Sequence, residues 1–203
     1  MPMMALVLNV AIGALLTGCG GGGDEAVAPV ADVAPPPGGV APTPPAVQGN
    51  VIFGRTTAGN DDLFLIKSDG NGLVTLADDP AAKETFSRVA GTRVIFHKGP
   101  FGFGARDIWG VNLDGTGRGS VVGTVADEFA RAVVNNLLVY EVSSVLAGQR
   151  DLASVDLDGS NSRFIASNSV DDEYYVGSAG GRVLYEQRTG TQTDLYSILP
   201  DGS

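Results

Sequence analysis

The chain has 203 residues, 13 basic against 23 acidic, and a formal net charge of −10. That balance speaks against a nucleic-acid partner, because phosphate binding needs clustered Lys and Arg. A single Cys excludes an internal disulfide, and 29 Gly with only 18% charged residues favour many short strands joined by turns over a helical bundle.

The first segment, residues 5–16 (ALVLNVAIGALL), is an apolar run of 12 broken only by Asn9. A spanning helix needs roughly 20 apolar residues, so the run reads as the hydrophobic part of an export signal. It leads into Leu16-Thr17-Gly18-Cys19, which resembles the lipobox of bacterial lipoproteins at all four positions. The resemblance implies cleavage between Gly18 and Cys19, a diacylglycerol on the Cys19 thiol and an acyl chain on its new amine. No other cofactor is expected. Two or three chains are what stable membrane anchoring demands. The competing reading is an ordinary signal peptide or a buried helix with a chance Cys. The residues before the run, Met1-Pro2-Met3-Met4, depart from the pattern in lacking Lys and Arg. Gly20 stands where inner-membrane lipoproteins usually carry Asp, so the outer membrane is the expected address, facing periplasm or surface.

Residues 19–48 follow, from Cys19 onward as GGGGDEAVAPVADVAPPPGGVAPTPPAVQ, without Phe, Tyr, Trp, Leu or Ile. Such a segment cannot bury enough apolar surface to offset its ordering entropy and reads as a disordered tether. At about 3.1 Å per residue a Pro-rich spacer holds a domain several tens of ångströms from the bilayer. A PxxP ligand for a partner is the alternative.

From residue 49 onward the chain repeats itself. Asp62, Asp107, Asp151 and Asp194 each open a short apolar segment that ends seven residues later at Asp69-Gly70, Asp114-Gly115, Asp158-Gly159 and Asp201-Gly202. The openings lie 45, 44 and 43 residues apart. A second series keeps step: Val51-Ile52-Phe53, Val94-Ile95-Phe96, Leu138-Val139-Tyr140 and Val183-Leu184-Tyr185. A third sets an acid before an aromatic: Glu84 with Phe86, Glu128 with Phe129, Glu173 with Tyr174. Units of roughly 40–45 residues rich in short β runs suggest the four-stranded blades of a β-propeller. In one unit the expected strands are residues 86–89 (innermost), 93–97, 107–112 and 120–124. The second is apolar at consecutive positions, as expected where neighbouring blades cover both faces. The Asp-Gly pairs read as hairpin turns, Gly taking the positive φ and Asp capping with its side chain.

The repeat resembles that of TolB-type (WD-like) β-propellers over about residues 51–203. The Ser-Pro-Asp-Gly turn of that family is absent; Ala90-Gly91, Val134-Asn135-Asn136 and Ala179-Gly180-Gly181 stand in its place. The expected fold is therefore all-β: a partial propeller of four-stranded antiparallel blades, about 3.5 repeats of about 44 residues, after a signal peptide (1–18) and a tether (19–48). Closed propellers have roughly four to eight blades, so residues 49–203 are expected to continue into a longer chain or to close with a second one.

Candidate chemistry is sparse. His97 is the only histidine and reads as structural, since a lone His cannot build a typical zinc site. No G-x-S-x-G elbow occurs. Residues 99–104 (GPFGFG) lead into a strand, not into a helix that could receive an anion. Asp156, Asp158 and Asn161, like Asn112 and Asp114, resemble fragments of calcium loops without the distal Glu, and read as hairpin turns. Glu84, Glu128 and Glu173 open the innermost strands and are the channel candidates, an acidic funnel for a cation or basic peptide; solvated strand starts are the alternative. No catalytic or metal-binding residue is assigned. The functional expectation is a membrane-anchored scaffold that binds an envelope protein or peptide without catalysis. The rivals are the propeller part of a larger peptidase- or lyase-type enzyme and an adhesive repeat array.

Overall fold

The computed structural model describes residues 49–100, 106–143 and 149–203. The signal segment, Gly18, Cys19 and the tether lie outside the described residues, as do residues 101–104 of the Gly-rich loop.

Fourteen strands and no helix make up the described chain: β1 (Asn50–Thr57), β2 (Asn60–Lys67), β3 (Val74–Ala77), β4 (Lys83–Ala90), β5 (Arg93–Gly99), β6 (Asp107–Asn112), β7 (Gly119–Val122), β8 (Asp127–Val134), β9 (Leu137–Ser143), β10 (Arg150–Asp156), β11 (Arg163–Ala166), β12 (Asp172–Ala179), β13 (Arg182–Thr189) and β14 (Gln192–Ile198). They form four antiparallel sheets in simple chain order: β1-β2-β3, β4-β5-β6-β7, β8-β9-β10-β11 and β12-β13-β14. This is the expected partial propeller, with two four-stranded blades between two three-stranded ones. The innermost strand β4 starts three residues before its expected limit, because Lys83, Glu84 and Thr85 pair with Gly99, Lys98 and His97 on β5. The outermost strand β7 ends at Val122, two residues short of it.

The turns follow from their residues. In each Asp-Gly turn a three-residue loop closes on a left-handed Gly, as with Gly70 (φ 84°) donating to Lys67 O at 2.9 Å and Lys67 N donating to Asn71 O at 3.0 Å. The Asp carboxylate then accepts the amide two residues on, at 2.9 Å for Asp69, Asp114 and Asp158 and 3.1 Å for Asp201. Asp156 Oδ2 accepts from Ser160 Oγ at 3.2 Å and Asn161 Nδ2 at 2.6 Å, so the calcium-like fragment holds its own turn together. The hairpins into β9 and β13 use two left-handed residues each, Asn135-Asn136 and Gly180-Gly181, a twist that matches the strands better than ordinary turns do.

Hydrophobic cores lie between blades. Leu63, Leu65 and Leu76 of the first blade pack on Val94, Phe96 and Val111 of the second. From the opposite face of β5, Ile95 packs with Ile108 against Leu138, Tyr140 and Val155 of the third blade. Val139 faces the other way, to Val183 of the fourth. Consecutive apolar residues on β5 and β9 are thus covered on both sides by adjacent sheets, as their sequence predicts.

Candidate binding face

Within an up-down-up-down blade, the start of the first strand, the end of the second and the start of the third share one end. The repeated acids and Arg106, Arg150 and Arg188 lie at that end, while the Asp-Gly turns lie at the other.

Glu84, Glu128 and Glu173 occupy the second position of β4, β8 and β12. They are 2%, 0% and 2% exposed, so these carboxyls are enclosed between blades and do not line an open acidic funnel. Nor are they solvated strand starts. The reason is their inward side: β4 packs on β2, β8 on β6 and β12 on β10, and each Glu is drawn into that junction. One oxygen of each ties down the loop that precedes its strand. Glu84 Oε1 accepts Asp79 N at 3.1 Å, Glu128 Oε1 accepts Thr124 Oγ1, and Glu173 Oε1 accepts Asn168 Nδ2 at 3.0 Å. The other oxygen, Oε2, is buried in all three without a hydrogen-bond donor among the described residues. Burial raises all three carboxyls and pushes Glu128 and Glu173 up to about 7, with Asp107 and Asp151 respectively adding repulsion. The opening Asp of one blade therefore meets the opening Glu of the next, a pairing that both repeat series contain but that only the fold brings together.

The acid-before-aromatic series needs one correction. Bulges leave Ser87, Arg131 and Val176 unpaired at the same point of β4, β8 and β12. Counting back from them, Thr85 is the counterpart of Phe129 and Tyr174, and Phe86 corresponds to Ala130 and Tyr175.

Phe129 and Tyr174 carry the feature that the sequence reading missed. Arg106 lies 5.1 Å from the Phe129 ring centre, with Arg131 at 5.3 Å and Arg150 at 5.4 Å. Arg150 lies 5.4 Å from the Tyr174 ring, and Arg188 at 4.2 Å from it. Arginine and aromatic alternate across three blades as Arg106, Phe129, Arg150, Tyr174, Arg188. Stacking occupies the face of a guanidinium and leaves its edge donors for other partners. Two carboxylates brace the ladder: buried Glu141 accepts from Arg131 at 2.6 Å, Arg150 at 3.0 Å and Tyr175 N at 2.9 Å, and Glu186 pairs with Arg188 at 2.8 Å. The signal was present in the repeat, where Arg106 and Arg150 each precede the opening Asp and Phe129 and Tyr174 each follow the opening Glu.

His97 lies beneath this ladder. Its Nε2 accepts Ala130 N at 3.0 Å, a bond only the unprotonated ring can make. Burial, with Arg106, Arg131 and Arg88 nearby, lowers it to about 4. Two clefts of about 330 and 370 Å³ open beside the first junction, lined by Glu84, Lys98, Trp109 and Arg118 in one and by Asn60 and Asp62 in the other. Lys98 bridges Asp79 at 2.6 Å and lies 4.2 Å from the Trp109 ring centre. Among the described residues no three His, Cys, Asp or Glu side chains are grouped to hold a metal ion.

No protein-family model matches the chain, and no curated protein matches it. Solved structures do. A putative TolB from Agrobacterium tumefaciens is 13% identical, with a TM-score of 0.49 over 76% of this chain and 58% of that one. A prolyl endopeptidase is 18% identical, with a TM-score of 0.59 over 76% of this chain and 25% of its own. Prolyl oligopeptidase B from Galerina marginata, bound to a 35mer hydrolysis and macrocyclization substrate, is 15% identical with a TM-score of 0.58 over the same shares. The chain spans about a quarter of the length of the prolyl peptidases it matches. The likeness is one of fold: the described chain is a partial β-propeller similar to the propeller domains of prolyl peptidases.

Proposed function

We propose that this chain is the propeller portion of an exported lipoprotein, anchored through Cys19 at the outer membrane, and that it binds an envelope protein or peptide without catalysis. The observation that carries the binding reading is the ladder of Arg106, Phe129, Arg150, Tyr174 and Arg188. Aromatic and Arg side chains are the residue types that dominate protein-contact energetics, and here they gather at the loop end of a rigid stack. The anchor rests on the Leu16-Thr17-Gly18-Cys19 motif.

Two measurements on the envelope-extracted protein test this reading. Mass spectrometry is expected to find an acylated Cys19 at the mature terminus, and Cys19→Ser is expected to release the protein from membranes; an unmodified Cys19 overturns the anchor. Alanine replacement of Arg106 and Arg188, both exposed, is expected to weaken retention on envelope proteins at least ten-fold, and unchanged retention removes the ladder from the contact. A second reading draws on the prolyl peptidase folds above: the propeller adjoins a catalytic domain. Labelling of the same polypeptide by a fluorophosphonate serine-hydrolase probe would favour it over the non-catalytic scaffold.

A further inference from the structure

Asp151 and Glu173 are in side-chain contact across the junction of the third and fourth blades. Glu173 Oε2 and Asp151 Oδ1 are both buried, and neither has a hydrogen-bond donor among the described residues. Two ionised carboxylates offer only acceptors to each other, so the contact is favourable with one proton between them and repulsive with none. Glu173 is nevertheless anchored, since Oε1 takes Asn168 Nδ2 at 3.0 Å and Asn168 in turn holds Asp171 Oδ2 at 2.7 Å. The carboxyl thus connects the blade junction to the loop before β12. One blade earlier, Glu128 is likewise tied to its preceding loop, through Thr124, and feels the charge of Asp107.

We propose that the Asp151–Glu173 contact is a shared-proton lock between blades, which holds the loop face closed while protonated and loosens it once the proton is lost to water. The lock is a property of the fold and does not depend on what the face binds.

The groups around it are mostly acidic. Asp171 and Asp172 directly precede Glu173 in the chain, β10 brings Asp151 and Arg150, β13 brings Tyr185, Glu186 and Arg188, and the neighbouring blade brings Arg131 and Glu141. Arg131 and Arg150 are committed to Glu141, and Arg188 to Glu186. Around Glu128 stand Asp127, Arg106, Asp107, His97 and Tyr140. A carboxyl lifted from 4.5 to about 7 binds its proton more tightly in the folded state. Folding gains from it fully below pH 4.5, and the gain is lost as pH rises through about 7. His97, lowered to about 4, acts oppositely, its contribution growing as pH rises from 4 to 6.5. Comparison of a variant with the parent cancels that term.

The test is chemical unfolding of the full chain between pH 5 and 8, followed by the fluorescence of the single Trp109 and by circular dichroism, for wild type, Glu173→Gln and Asp151→Asn. The amide of either variant supplies the missing donor permanently. Each is expected to match wild type at pH 5 and to fold with an equilibrium constant up to about 70-fold larger than wild type at pH 8. Hydrogen exchange at residues 168–172 is expected to show opening that grows with pH in wild type and not in Glu173→Gln. A variant-to-parent ratio constant across the pH range overturns the lock, as does exchange with the same pH dependence in both proteins.

Discussion

At the scale of single residues, Glu141 carries more of the structure than its place in the sequence suggests. It follows Leu138-Val139-Tyr140 at the end of an apolar strand, 2% exposed, and joins Arg131, Arg150 and the Tyr175 amide. Removing one partner from a buried ion pair strands the remaining charges, which costs about 3–5 kcal/mol. Glu141→Ala is therefore expected to lose about that much stability in urea at pH 7. Glu141→Gln keeps an acceptor for Tyr175 N and is expected to lose about 1.5–3 kcal/mol. An alanine variant within 1 kcal/mol of the parent, on the order of the worth of an exposed pair, would mean that the three partners find water instead. Nothing in the local pattern marks this Glu, since its partners come from β8, β10 and β12 and only the blade geometry assembles them. Glu84, Glu128 and Glu173 were legible as a series because they recur at a fixed period. Their burial was not, because a strand start is polar-looking whether its carboxyl meets water or the neighbouring blade.

Single elements were most legible where backbone chemistry is restrictive. The Asp-Gly turns could be read directly, because a left-handed position selects Gly and an Asp side chain can reach the amide two residues on. The four glycines nevertheless differ in their surroundings. A Cβ on Gly70 would meet nothing within 4 Å, whereas one on Gly159 would lie 3.0 Å from Val121 O and 3.4 Å from Ser120 O of the preceding blade. Gly70→Ala is expected to cost about 1–2 kcal/mol, the conformational penalty alone. Gly159→Ala is expected to cost about 1–3 kcal/mol more, since the turn must move off a neighbouring backbone. Equal shifts in melting temperature for the two variants would show that the third blade's turn is not pressed against the second blade. Strand limits were harder to read. Lys83, Glu84 and Thr85 have no apolar alternation, and they belong to β4 only because His97, Lys98 and Gly99 continue β5 far enough to pair with them.

For the molecule as a whole, stability passes from blade to blade through the junction cores, much as in other repeat proteins. The run Leu138-Val139-Tyr140 made this legible, since three adjacent apolar residues on one strand need cover on both faces. The ends of the stack differ from its middle: β14 is exposed along nearly its whole length, with Leu195 at 66% and Tyr196 at 43%, although Asp194-Leu195-Tyr196 repeats the pattern of buried β10. Pattern alone does not separate a covered blade from an end blade, because cover is supplied by the neighbour and not by the strand. The mutational consequence is asymmetric. Leu138→Ala empties a site shared by the second and third blades and is expected to cost about 2–5 kcal/mol. Leu195→Ala, the exposed counterpart of buried Leu152, is expected to stay within about 0.5 kcal/mol. Hydrogen exchange should grade in the same sense, slowest in β5 and β9, which are sandwiched, and fastest in β14. Uniform protection from β5 to β14, with a comparable cost for both leucines, would mean that the face of the last blade is covered in solution, and the partner that covers it would then be the next thing to identify.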